Sequence, residues 1–129
     1  MRNILINITF LTFALALTTT FAQQSPPYET KLLRLAEILG SLHYLHNLCN
    51  NPTNQWYDYM TALIEAEQPM PQRRAYFYEA FNEAYRAFSE NYHHCTKSAI
   101  EANQRYVEEG KALSESLLMH FNNYPYKSS

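Results

Sequence analysis

The sequence predicts an all-α protein: a small up-down-up-down four-helix bundle with one disulfide, preceded by a cleaved signal peptide. Three observations predict it. Apolar residues recur at alternating steps of three and four in successive stretches, the period of a helix with one buried face. Only two glycines occur, Gly40 and Gly110, too few for a multi-turn β architecture or a phosphate-cradling loop. Two cysteines, Cys49 and Cys95, each close a helical stretch.

Residues 1–22 read as a secretory leader. Arg2 supplies positive charge, Ile4 to Leu17 forms a mostly apolar run, and Thr20-Phe21-Ala22 places small residues where a signal peptidase reads. The mature chain is then expected to begin at Gln23. A retained membrane anchor is the rival reading, disfavoured because the run is short and holds Asn7, Thr9 and Thr12. No cysteine stands at the cleavage point to accept lipid. Loss of Arg2 takes the formal charge from −2 to −3, the wrong sign for a nucleic-acid or anionic-membrane binder. The remainder, 23–129, suffices for one domain and not for two.

The first helix is expected over 28–49. Pro26 and Pro27 fit its entry and Glu29 its first turn. Leu32, Leu35, Leu39, Leu42, His46 and Cys49 make its seam, widened by Ile38 and Leu45, and Asn50-Asn51-Pro52 stops it. The second, 54–68, is capped by Thr53 or Asn54 and carries Trp56, Met60, Leu63 and Ile64 inward. Pro69-Met70-Pro71 is a stiff corner. The third, 71–94, has a seam of Phe77, Phe81, Ala84, Phe88, Asn91 and Cys95, with Tyr78, Tyr85 and Tyr92 seven apart beside it. Thr96 caps the fourth, 97–121, whose inner face is Ala99, Asn103, Tyr106, Gly110, Leu113 and Leu117. Gly110 there disfavours helix and suggests a close approach of another backbone. Glu101, Glu108, Glu109 and Glu115 fall on the solvated side, and 122–129 reads as a frayed tail.

An even cysteine pair in an exported chain is most often a disulfide. Free redox thiols usually show a C-x-x-C spacing, which 49 and 95 do not have. Short connections favour antiparallel neighbours, so the first and third helices run the same way and end at the same pole. Cross-link and topology therefore predict each other.

The histidines are the candidates for metal. His43 and His46 lie a turn apart on the first helix, and His93-His94 precede Cys95. Imidazole suits zinc, copper or nickel, and His43, His46 and His94 would meet at the disulfide pole. The competing expectation pairs His46 with Asn91 as a hydrogen-bonded seam residue and leaves His43 and His93 wet. No carboxylate or free thiol completes a ligand set. Glu90-Asn-Tyr-His93 matches the Glu-x-x-His step of di-iron bundles but occurs once and faces outward. No C-x-x-C-H attaches haem, and nothing supports a haem held by Met60, Met119 or a histidine. Asp58 is the only aspartate, and no serine sits in a nucleophile elbow. Neither a catalytic centre nor a cofactor is implied.

Aromatic residues make up 15% of the chain, and most should be core. A partner surface would need some tyrosines exposed together. Tyr78, Tyr85 and Tyr92 are the candidates for it.

The stretch PPYETKLLRLAEILGSLHYLHNLCN, the tryptophan helix, AYFYEAFNEAYRAFSENYHHCT and the final amphipathic helix resemble a family of small exported alphaproteobacterial proteins of unknown function. The likeness covers nearly the whole mature chain. It implies export and one domain, and brings no catalytic residue to carry over.

The expectation is thus a periplasmic or secreted, non-enzymatic binding or structural accessory of the cell envelope. It has no nucleic-acid partner and no membrane span in its mature form. Two alternatives stand beside it: a periplasmic metal-binding protein using His43, His46 and His94, and a small periplasmic stress chaperone.

Overall fold

From Leu32 to Cys49 no residue of the first helix is exposed. That helix, α1 (Glu29–Cys49), is the axis of the molecule, and the other three pack around it. The computed structural model describes residues 26–123, which hold four helices and no strand among them. The expected leader at 1–22 and most of the expected tail at 122–129 lie outside the described residues.

Local chemistry places each helix end. The Glu29 N–H donates to Pro26 O and opens α1. Beyond Cys49 the amide of Asn47 closes the turn, donating to Thr53 O while Thr53 N donates back to Asn47 Oδ1 at 2.9 Å. The second helix, α2 (Gln55–Glu67), starts where Thr53 Oγ1 accepts from Gln55 N. It ends on Gln68 in the left-handed conformation, φ 43°. Pro71 is the first residue of α3 (Pro71–Asn91), as its fixed φ favours. Thr96 Oγ1 accepts from Ala99 N and opens α4 (Lys97–Asn123).

Two ends differ from expectation by more than one residue. The third helix stops at Asn91 and does not reach 94, because Tyr92 turns extended and its carbonyl accepts from the Tyr44 hydroxyl. His93 and His94 therefore belong to the α3–α4 connection. The fourth helix continues to Asn123, beyond the expected 121.

Contacts along α1 fix the directions. Glu29 meets Arg73, Tyr44 meets Tyr85 and Cys49 meets Cys95, so α1 and α3 run the same way. His46 meets Trp56 while Glu29 and Glu67 share Arg73, so α2 runs against them. Lys31 meets Ser116 and Arg34 meets Glu109, so α4 does too. The disulfide Cys49–Cys95 ties the parallel tips, with Cα atoms 5.0 Å apart.

The packing is not a square. The α1–α3 pair, a diagonal in a regular bundle, is the most intimate contact here. Its cause is Gly40: a Cβ placed there would lie 2.0 Å from Phe81 O. Ala36, Gly40 and the buried Ser41, whose hydroxyl donates to Glu37 O, extend the buried surface of α1 beyond its leucine seam. Reading α1 as one stripe missed this face. The expected close approach at Gly110 meets a side chain instead, Ile38 Cγ2 at 3.1 Å.

Apolar burial divides into two clusters. Leu32, Ala36, Leu39, Met60, Ile64, Phe77, Phe81 and Leu117 form the larger. Leu45, Ala99 and Ala102, flanked by Phe88, Tyr92, Tyr106 and Cys49, form the smaller at the disulfide pole.

Candidate binding groove and the predicted site residues

Helices α2 and α4 both lean on α1, and between them runs a strip floored by α1 residues that are themselves mostly buried. The strip is a groove in two connected parts sharing Leu35 and Ser114. The wider, about 440 Å³, is lined by Leu32, Leu35, Leu63, Ala66, Leu117 and Leu118 among others. The narrower, about 280 Å³, continues past Trp56, Tyr59, Val107 and Lys111 toward the α2 N-terminus. Leu118 is 61% exposed and Tyr59 51%, with Val107 also open to solvent. Exposed large apolar side chains that converge on one groove are the usual mark of a contact site.

A second cleft, about 270 Å³, lies between α1, α3 and α4 and is lined by Arg34, Glu37, Glu83, Phe88 and Tyr106, with Ser41 at its floor. Its cation is already engaged. Arg34 donates to both carboxylate oxygens of Glu109, at 2.7 and 3.0 Å, and to Glu37 at 2.9 Å. These bonds hold the Glu109 carboxyl below its ordinary range and the guanidinium firmly protonated. Glu109, expected on the solvated side, is thus an α1–α4 clasp. Arg73 plays the corresponding part nearer the end away from the disulfide, bridging Glu29 and Glu67 under partial burial.

The tyrosine row does not form one exposed stripe. Tyr78 is half-buried against the larger cluster, with the Arg74 guanidinium 5.8 Å above its ring. Tyr85 packs on His43 and, edge-on, on Tyr44. Tyr92 packs against Phe88, and its hydroxyl meets Ser98 Oγ at 3.0 Å. All three hold α3 to its surroundings, and Tyr85 is the most open of them.

Nor do the candidate ligands converge. His43 is ringed by Tyr57, Phe81 and Tyr85, its Nδ1 buried without a hydrogen-bond partner, and burial lowers its pKa below the ordinary histidine value. His46 packs edge-on against Trp56. The expected His46–Asn91 pair is absent, since Asn91 is exposed and donates to Ala87 O one turn back. His94 is exposed in the connection before Cys95. No group of three or more His, Cys, Asp or Glu among the described residues is placed to hold a metal. No helix among them is long and apolar enough to cross a membrane.

The groove was not read from the sequence. Val107 and Leu118 lie eleven apart beside the expected α4 seam, which is three helical turns, and that recurrence was its one available sign.

Residues 27–121 match the family model described as protein of unknown function DUF2385. The chain belongs to that family. The DUF2385 match runs from the entry of α1 through nearly all of α4 and takes in both cysteines, Gly40 and the groove. No curated protein and no solved structure matches the chain.

Proposed function

We propose that this DUF2385 protein is an exported, non-enzymatic binding accessory of the cell envelope that engages its partner through the α2–α4 groove. One observation carries the reading. A groove between α2 and α4 is walled by apolar side chains, of which Tyr59, Val107 and Leu118 stand exposed to solvent. Burying such side chains contributes about 25 cal/mol per Å² of apolar surface removed from water, so these exposed wall residues are a standing source of binding energy.

Export is supported by the basic, apolar and small-residue zones of residues 1–22, and by an even cysteine pair that closes a disulfide. A periplasmic or secreted location follows from that reading. The absence of a nucleophile-elbow serine in the sequence and the scatter of the histidines support a binding role over catalysis or metal storage.

The test is affinity capture from envelope extract with wild-type protein, Leu118→Asp and Tyr85→Ala. A partner held through the groove is lost with Leu118→Asp and kept with Tyr85→Ala. Identical capture by all three proteins defeats the reading.

A further inference from the structure

We infer that a second copy of this chain packs on the outer rim of the groove, its α4 laid antiparallel against α4. The inference rests on reading the groove as the contact surface, and names the occupant.

The helical period sets the seam. Ile100, Val107 and Leu118 are spaced by seven and eleven residues, two and three turns, so they stand in one line along α4. They are 45%, 41% and 61% exposed. The same helix turns Ala99, Ala102 and Leu117 into the core and Glu109 onto Arg34 of α1, so the line faces away from the body of the protein. Gln104 and Lys111 lie along it and are exposed too. Val107, Lys111 and Leu118 also wall the groove. From Ile100 to Leu118 the seam is about 27 Å long.

The order of residues makes this seam complementary to itself. About a twofold axis crossing α4 at the level of Glu109, Ile100 meets Leu118 of the second copy and Leu118 meets its Ile100. Val107 meets the alkyl stem of Lys111 in the same way.

Charge agrees with that register. Glu108, Lys111 and Glu115 are exposed and make no ion pair among the described residues. Glu108 and Glu115 share one flank of the line, and equivalent flanks face each other across the twofold axis. Lys111 therefore reaches Glu108 of the second copy, and Gln104 reaches its Glu115. Each pair is within one residue of the symmetric position and forms twice. A parallel copy would instead set Lys111 against Lys111 and Glu108 against Glu108, which repel. An anionic lipid surface would meet Glu108 and Glu115 beside the seam and be repelled likewise.

One helix pair is small for a specific interface, so the dimer is weak and reversible. The test is sedimentation equilibrium of the purified, disulfide-bonded protein over about 5 to 500 µM, the range in which so small an interface dissociates. A monomer–dimer equilibrium is expected. Leu118→Asp should abolish it, by setting a carboxylate on each Ile100. Lys111→Glu should weaken it about tenfold, because two attractions become two repulsions. Lys111→Glu combined with Glu108→Lys should restore it, and Tyr85→Ala should leave it unchanged. Leu118, Lys111 and Glu108 are exposed, so circular dichroism should find these variants folded. A protein monomeric throughout that range overturns the inference. So does a dimer indifferent to Leu118→Asp, or one that the combined charge reversal fails to restore. If the protein is monomeric and Leu118→Asp still loses a different protein from envelope extract, the groove reading stands without a second copy. If Leu118→Asp changes neither measurement, both fall.

Discussion

Gly40 of α1 stands directly against the backbone carbonyl of Phe81 on α3, with no room between them for a methyl group. This contact brings the diagonal pair together, draws α3 to the back of α1, and leaves α2 and α4 to flank the opposite face unaided.

Gly40→Ala should therefore destabilise the protein by about 2 kcal/mol or more, the usual size of overpacking against atoms that cannot rotate away. Gly110→Ala is the contrast. Its methyl would meet only Ile38 Cγ2 at 3.1 Å, and the gain in helix propensity of about 1 kcal/mol offsets the adjustment. Urea denaturation of the two variants measures the difference, and equal destabilisation would contradict the assigned roles.

Reduction of Cys49–Cys95, or Cys49→Ser with Cys95→Ser, should lower stability by about 4 kcal/mol at most. That figure is the chain-entropy value for this loop, whose cysteines are 46 residues apart. Parallel tips held only by packing should also fray first at that pole. Hydrogen exchange is expected to rise in the last turns of α1 and α3 before α2 responds.

Arg73→Met removes the cation shared by Glu29 and Glu67, whose side chains are only 13% and 11% exposed. Two partly buried carboxylates left facing each other should cost about 3 kcal/mol. Adding Glu29→Gln and Glu67→Gln should recover most of it. A single and a triple variant of equal stability in a thermal melt would show that the lost contact of the Arg73 guanidinium with the Phe77 ring, and not the facing carboxylates, was responsible.

Acid should weaken the fold through His43. Burial among Tyr57, Phe81 and Tyr85 disfavours the imidazolium, so its folded-state pKa lies below the unfolded value near 6.5. The neutral ring contributes stability above that value, and the contribution is lost as pH falls through the folded pKa, at no more than about 1.4 kcal/mol per pH unit. His43→Phe should flatten the stability profile below pH 6.5 relative to wild type and leave its shape above pH 7 unchanged.

Much of this architecture is legible in the residues alone. The step of three and four marks all four helices, Pro71 and Thr96 mark two of their starts, and the two cysteines require parallel tips once the connections are short. The hub role of α1 is not legible, because Ala36, Gly40 and Ser41 are too small to register as an apolar face. Only the partner across them, Phe81, gives them meaning. The end of α3 is hidden for a related reason: Tyr92 leaves the helix because its carbonyl is taken by Tyr44, a residue 48 positions earlier. The groove escapes because Val107 and Leu118 look the same whether a neighbouring helix covers them or none does.

The groove claim is tested most directly by a photo-crosslinking residue placed at position 118 or at position 85 in cells making the protein. Position 118 should yield one discrete adduct that is absent at position 85, within the tyrosine row of α3. An adduct at 85 with none at 118 would contradict the account and move the contact surface to the opposite helix.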